Sequence, residues 1–383
     1  MSFKRIVFWS HLCVAVAASL MILSLCVTGF AIAYERQFVA MAEARHDAKP
    51  AAGPVLSADA LAGIAAGFAG VHDVALVFRN KPGAAVKVDM ERFGQYFLDP
   101  YSGEVRARGR TRTERLFGLL TRLHRNLSPS GAASRTTTAA LDLANLGFVF
   151  LAVSGAYLWW PKSWRWRIVS KSLLFRRALP SSKARDYNWH HVFGFWALIP
   201  LFLIATSGVV ISYPWAHRLV YQVYGEPVPD LRFRPRQDPE PPEVPAAYLG
   251  PGVTLQAMLE KSKEIEPDWN RITIPLPRSA EEETVEIRVD SGNGVQPGLQ
   301  TTAIFDRADG RLAQALPANY AVSPGRRARV FLGYLHTGEA FGLPGQTIAA
   351  LACLSGAFLV YTGLALAYRR LIQPFFRRRR MNS

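Results

Sequence analysis

Four stretches of the chain are apolar for long enough to cross a hydrocarbon layer about 30 Å thick, which takes roughly 20 residues of helix. They run over 6–34, 141–160, 190–213 and 347–368. Trp9, Trp159, Trp160, Trp189, Tyr213, Trp215 and Tyr368 stand at their ends, where amphipathic rings favour the headgroup level. Between the first and second spans, and between the third and fourth, the pattern changes to short alternating runs. The first such segment predicts a helix over Ser57–Phe68, strands over Val74–Phe78 and Ala85–Val88, then Gln95-Tyr96-Phe97-Leu98 running into Asp99-Pro100-Tyr101-Ser102-Gly103-Glu104-Val105. The second predicts a helix over Thr254–Ile265, strands over Arg271–Ile274 and Thr284–Val289, then Thr302–Phe305 running into Asp306-Arg307-Ala308-Asp309-Gly310-Arg311-Leu312. Both close on D-x-x-x-G-x-[VL], a tight turn whose left-handed position wants glycine.

The order of elements thus repeats: a span, a small α+β segment, a second span. The expected fold is an α-helical membrane protein, a four-transmembrane-helix bundle built from two parallel repeats with two small α+β outer domains, 35–140 and 214–346. The opening apolar run follows Lys4 and Arg5 and ends in Ala31-Ile32-Ala33, which has the look of a secretory signal. It is about twice the length of a signal's apolar core, so it reads as a retained anchor.

Composition adds orientation. The chain has 383 residues, half of them hydrophobic, and a formal charge of +16. The excess sits in three places: Lys4 and Arg5; the loop 161–189 with Lys162, Arg165, Arg167, Lys171, Arg176, Arg177, Lys183 and Arg185; and the tail 369–383 with Arg369, Arg370 and Arg377–Arg380. Asp186 is the single acid among them. Lys and Arg flanking membrane spans mark the cytoplasmic side. Both termini are therefore expected inside a bacterial inner membrane and the two α+β segments in the periplasm. A charge explained this way no longer points to nucleic acid. It leaves lipid as the expected contact of the basic segments.

Candidate chemistry comes from histidine. His11 and His190 open the first and third spans; His124 and His336 precede the second and fourth. Gly29 follows His11, and Gly208 follows His190, by the same 18 residues, five helical turns, so each Gly lies on the face of its His about 27 Å along the axis. Thr28 and Ser207 precede these glycines, and Ser154-Gly155 and Thr362-Gly363 give the other two spans the same [ST]-G pair. A bare backbone lets a flat cofactor or a neighbouring helix come close. Equivalent residues of parallel repeats converge on the bundle axis, so His11 with His190, and His124 with His336, are candidates to clamp one iron each. Two imidazoles per iron is the axial ligation of a b-type haem. The expected cofactors are two b-type haems, with those four His as iron ligands and Gly29 and Gly208 against the cofactor. His191 is turned about 100° from the His190 stripe and is the substitute for it; His46, His72 and His217 read as background.

Absences narrow the reading. Cys13, Cys26 and Cys353 all fall within spans, and no C-x-x-C-H is present for covalent haem. No Walker A, G-x-G-x-x-G, H-E-x-x-H or G-x-S-x-G motif occurs. Electrons would therefore come from a separate donor, membrane quinol or a cytosolic reductase.

The chain resembles the PepSY-associated transmembrane helix proteins, iron-regulated membrane proteins that include periplasmic ferric-siderophore reductases. The resemblance covers nearly the whole chain. It rests on the His11 span ending in Thr28-Gly29, the Tyr96–Val105 turn, Leu123-His124-Arg125, Ser154-Gly155 before Leu158-Trp159-Trp160-Pro161, Trp189–Trp196, and Leu335-His336-Thr337-Gly338 with Phe341-Gly342. It implies PepSY domains outside the membrane and, as in the reductase members, two b haems on His11, His124, His190 and His336. The expected activity is a di-haem oxidoreductase that carries electrons from the cytoplasmic side to the periplasm and reduces a ferric siderophore or another ferric chelate. Two other classes stand beside it: a membrane-anchored PepSY binding or regulatory module, and a metal-chelate transporter without redox chemistry.

Overall fold

A computed structural model describes residues 2–50, 53–69, 74–90, 94–128, 135–228, 252–276, 282–292, 294, 296–317 and 322–374. In chain order its elements are α1 (Phe3–Ile32), α2 (Glu35–Glu43), α3 (Ala58–Ala69), β1 (Ala75–Arg79), β2 (Val86–Asp89), β3 (Gln95–Leu98), β4 (Val105–Arg108), α4 (Arg112–Asn126), α5 (Arg135–Trp159), α6 (Trp166–Leu173), α7 (Ser182–Ser212), α8 (Pro214–Val223), α9 (Leu255–Ile265), β5 (Arg271–Pro275), β6 (Thr284–Asp290), β7 (Gln300–Asp306), β8 (Leu312–Pro317), α10 (Pro324–Thr337) and α11 (Gly342–Leu371). His72 and Arg377–Arg380 lie outside the described residues. The chain divides into two units, one of residues 1–35, 116–227 and 328–383, the other of 36–115 and 228–327.

The first unit is a bundle. Helices α1, α5, α7 and α11 lie within the four candidate spans and are long and apolar enough to cross a membrane. They outrun the apolar stretches that announce them. Helix α7 starts eight residues before His190, where Ser181 Oγ accepts the Ala184 N–H at 3.2 Å as an N-cap. Helix α1 packs on α5 and α11, and α7 packs on α5 and α11, so α1 and α7 stand across one diagonal. Small side chains let the backbones approach: Ala144 joins Ile22 and Cys26 in one cluster, and Ala197 and Ala352 join Leu201 in another. Leu20, Val27, Ile199 and Leu351 face outward, as expected of helices with lipid around them. At the basic end Asp186, fully buried, takes Arg185 at 2.9 Å and Arg369 at 2.5 Å, tying α7 to α11 one turn from His190.

The second unit is one sheet with one core. Its strands run β4-β3-β2-β1-β5-β6-β7-β8, every pair antiparallel. The sequence reading separates the two α+β segments; in the structure the meander of each joins the other through β1 and β5, from Ala75 opposite Pro275 to Arg79 opposite Arg271. Alternation puts Leu76, Val86, Val88, Ile272, Ile274, Val285, Ile287 and Val289 on the buried face. Helices α3 and α9 cover that face with Leu61, Ala65, Leu255, Met258 and Leu259. The two helices also cap each other. Asp59 accepts the N–H groups of Leu255 and Gln256 at 2.8 and 3.1 Å, and Gln256 Oε1 accepts the N–H of Ala58 at 2.7 Å. The D-x-x-x-G turns are the β3–β4 and β7–β8 hairpins, and β4 and β8 are fourth strands that the sequence reading ends short of. Gly103 at φ 74° and Gly310 at φ 70° occupy the left-handed position, and Asp99 and Asp306 accept the N–H two residues on at 2.8 and 2.7 Å.

Asp47 fixes the start of this unit. It takes Arg79, Lys81 at 3.0 Å and the Ala85 N–H at 3.2 Å. Burial would raise its pKa, but the Lys81 ammonium, the Ala85 amide and the Arg79 guanidinium outweigh it and hold the carboxyl below the usual range. A depressed folded-state value means stability present above the unfolded pKa and lost as the pH falls through the folded one. The melting temperature of the purified protein is expected to fall below about pH 4, and less so in Asp47→Asn, which starts lower at neutral pH. Thermal melts of both proteins from pH 3 to 7 check this.

Candidate functional site

Each of the four histidines meets the [ST]-G pair of a neighbouring helix. His11 on α1 places Nδ1 2.8 Å from Ser154 Oγ on α5, and His190 on α7 places Nδ1 3.0 Å from Thr362 Oγ1 on α11. His124 on α4 places Nδ1 2.8 Å from Thr28 Oγ1 on α1, and His336 on α10 places Nδ1 3.3 Å from Ser207 Oγ on α7 and 2.9 Å from the Ile204 carbonyl.

The glycine of each pair makes room for the ring. A Cβ added at Gly155, Gly29 or Gly363 would stand 3.5 Å from the Cε1 of His11, His124 or His190, and one at Gly208 would stand 3.2 Å from that of His336. The sequence reading assigns the bare backbone at Gly29 and Gly208 to a cofactor. In the structure an imidazole lies against each, His124 beside Cys353 at Gly29 and His336 beside Asn145 at Gly208. Gly155 and Gly363 play the same part for His11 and His190 and were legible as the remaining [ST]-G pairs.

These contacts decide where the ring protons lie. Every hydroxyl of the set already donates to the carbonyl one turn back: Ser154 to Phe150 at 2.7 Å, Thr28 to Ser24 at 2.6 Å, Thr362 to Phe358 at 2.8 Å and Ser207 to Leu203 at 2.7 Å. A hydroxyl whose proton is so committed can only accept. Nδ1 must therefore donate, and the Ile204 carbonyl makes the same demand of His336. In the neutral ring that leaves Nε2 with its lone pair free, the form in which histidine binds a metal. Burial, then the neighbouring His336 and Arg125, push His124 down to about 4, and burial pushes His336 down as well, so both rings are neutral near pH 7.

The rings fall into two pairs. His124 and His336 have centroids 6.2 Å apart at an interplanar angle of 60°. An imidazole nitrogen binds a first-row metal at about 2 Å, so two rings on opposite sides of one iron have centres roughly 6 Å apart. The spacing of this pair fits. His11 on α1 and His190 on α7 stand at the other end of the bundle. Because His11 and Thr28 are both on α1, and His190 and Ser207 both on α7, the two pairs are separated by about 25 Å of helix. His191 is turned away: its Nδ1 lies 3.0 Å from the Tyr187 carbonyl and its ring lies on Tyr187 at 4.1 Å. His46 packs on Phe97 at 4.7 Å. No cluster of three or more His, Cys, Asp or Glu suited to a metal occurs among the described residues, which leaves pairs of imidazoles as the arrangement to explain.

A comparison with curated proteins finds no match for the chain. A comparison with family models matches residues 8–370 to the PepSY-associated TM region. With four apolar helices of spanning length and a match over nearly all of its residues, the chain is a membrane protein of the PepSY-associated family.

Proposed function

We propose that this protein is an inner-membrane di-haem oxidoreductase built on a twofold repeat, in which His11 and His190 would hold one b-type haem and His124 and His336 a second. The observation that carries this reading is the fourfold recurrence of one contact: an imidazole fixed through Nδ1 by an [ST]-G pair, its Nε2 left free, in two pairs at opposite ends of an apolar bundle. Two haems so placed would supply one-electron steps from the cytoplasmic side to a periplasmic ferric siderophore or similar ferric chelate, whose iron is held less firmly by hard oxygen ligands once reduced.

The residues of the chain supply the rest. Ser154, Thr28, Thr362 and Ser207 hold the rings in one tautomer and one orientation. The glycines beside them let each ring lie against its neighbouring helix. The apolar clusters around Ile22, Cys26, Phe148 and Leu201 keep water from the space between the pairs. Lys and Arg at the ends of the spans set the cytoplasmic side, where quinol or a cytosolic reductase would deliver electrons, and the eight-stranded unit would lie in the periplasm.

A reduced-minus-oxidised spectrum of the purified protein, with haem counted per chain, tests the reading. Two haems per chain are expected, and the reduced protein should be reoxidised by ferric siderophore. Absence of haem, or full occupancy after all four His are replaced by Ala, would overturn it. Haem without reoxidation by any ferric chelate would leave the electron carrier and remove the assigned acceptor.

The hydroxyls give a finer test. Thr28→Val and Thr362→Val each remove the acceptor of one Nδ1–H while keeping the shape of the side chain. Losing such a partner costs a metal site about 10- to 100-fold in affinity. Each variant should release one of its two haems faster to apomyoglobin, Thr28→Val from the His124 pair and Thr362→Val from the His190 pair.

A further inference from the structure

Helices α8 and α10 bring together two groups that the imidazole–hydroxyl contacts leave unused. Arg329 Nε donates to His217 Nδ1 at 3.0 Å. A guanidinium has no lone pair to offer, so His217 must accept at Nδ1 and carry its proton on Nε2. That Nε2 is buried and has no hydrogen-bond partner among the described residues. Arg329 is half-buried, and no carboxylate pairs with it among the described residues. The group that faces the pair is Tyr221, whose ring lies 5.2 Å from that of His217. Burial pushes the Arg329 guanidinium down from its ordinary value, with Tyr221 opposing only in part. A half-buried guanidinium without a carboxylate partner is open to an anion, and a buried N–H without an acceptor is destabilising.

The free edge of the guanidinium points to a ligand chemistry. His217 holds the guanidinium at Nε, which leaves the two Nη groups of Arg329 as a fork that matches the two oxygens of a carboxylate. The place also has a meaning. Arg329 precedes His336 by seven residues on α10, so the two share a face about 10 Å apart. We infer that Arg329, oriented by His217, forms a carboxylate-binding site at the His336 end of the bundle. Two sources would offer that carboxylate. One is a propionate at the edge of a porphyrin held between His124 and His336, and this source rests on the di-haem reading. The other is a carboxylate of a ferric chelate arriving from outside, which does not.

The test uses the full chain in detergent, as wild type, Arg329→Gln and His217→Phe, with two probes. In the first arm apoprotein is loaded with haemin or with haemin dimethyl ester, whose propionates are blocked. If the site takes the propionate, wild type holds haemin about tenfold or more tighter than the ester at one of its two positions, and Arg329→Gln abolishes the difference. In the second arm ferric citrate is titrated by calorimetry. If the site takes an external carboxylate, its affinity drops about tenfold in Arg329→Gln while haem content stays at the wild-type level. His217→Phe keeps the cation and removes the group that orients it, so it should show the same loss to a smaller degree; it carries the test if Arg329→Gln does not purify as a single species. Equal behaviour of all three proteins in both arms overturns the site. If wild type takes up no haem in the first place, the di-haem reading fails by its own test and the citrate arm alone decides the site.

Discussion

Replacing His124 and His336 together by alanine is expected to remove one haem per chain and leave the other with an unchanged spectrum; replacing His11 and His190 should do the reverse. The two pairs share no ligand, no hydroxyl and no glycine, and about 25 Å of α1 and α7 lies between them. At such a distance, without common partners, the effects of substitutions are close to additive. Single replacements should be informative in a different way. With one imidazole gone the iron keeps one protein ligand, so the haem should be retained weakly and bind added imidazole, which neither wild type nor the double variant does. His191→Ala is the control: its ring is held by the Tyr187 carbonyl on its own helix, so both haems should remain. Haem per chain by pyridine haemochrome, with difference spectra, measures all of these. Two haems in either double variant, or the loss of both from a double variant that still purifies as wild type does, would sink the assignment of ligands to pairs.

The parts of this arrangement that the sequence displayed are those written in local period. Apolar runs of spanning length, the 18-residue interval from His11 to Gly29 and from His190 to Gly208, and the D-x-x-x-G turns are each contained in one element or one hairpin. The parts it withheld are pairings. Alternation in Val74–Phe78 and Arg271–Ile274 says that each is half-buried, but not that β1 lies beside β5 and merges the two meanders into one sheet. The interval along α1 says which face Gly29 shares with His11, but not that the ring filling that space is His124, 95 residues later. His217 read as background for the same reason: what makes it notable is Arg329, 112 residues away.

Gly208 separates an imidazole seat from ordinary helix packing, the simpler explanation of small residues in a span. A Cβ there would stand 3.2 Å from His336 Cε1 and 2.9 Å from Asn145 Nδ2, both closer than packed side chains tolerate without moving. Valine adds two methyls beyond that Cβ, and overpacking of this kind costs about 1–3 kcal/mol. The ring can yield only by leaving Ser207 and the Ile204 carbonyl, the contacts that hold its tautomer. Gly208→Val should therefore weaken haem binding at the His336 pair by roughly 5- to 150-fold, with little change at the His11 pair, and Gly208→Ala should fall between it and wild type. Gly194, on the same helix, would place its Cβ 3.7 Å from Leu359 Cδ2, an ordinary contact, so Gly194→Ala should keep both haems. If small residues serve packing alone, Gly208→Val would lower the melting temperature and leave haem content per folded chain untouched. Site-selective loss of one haem, read from redox titration of the two signals, is the outcome that packing alone does not produce.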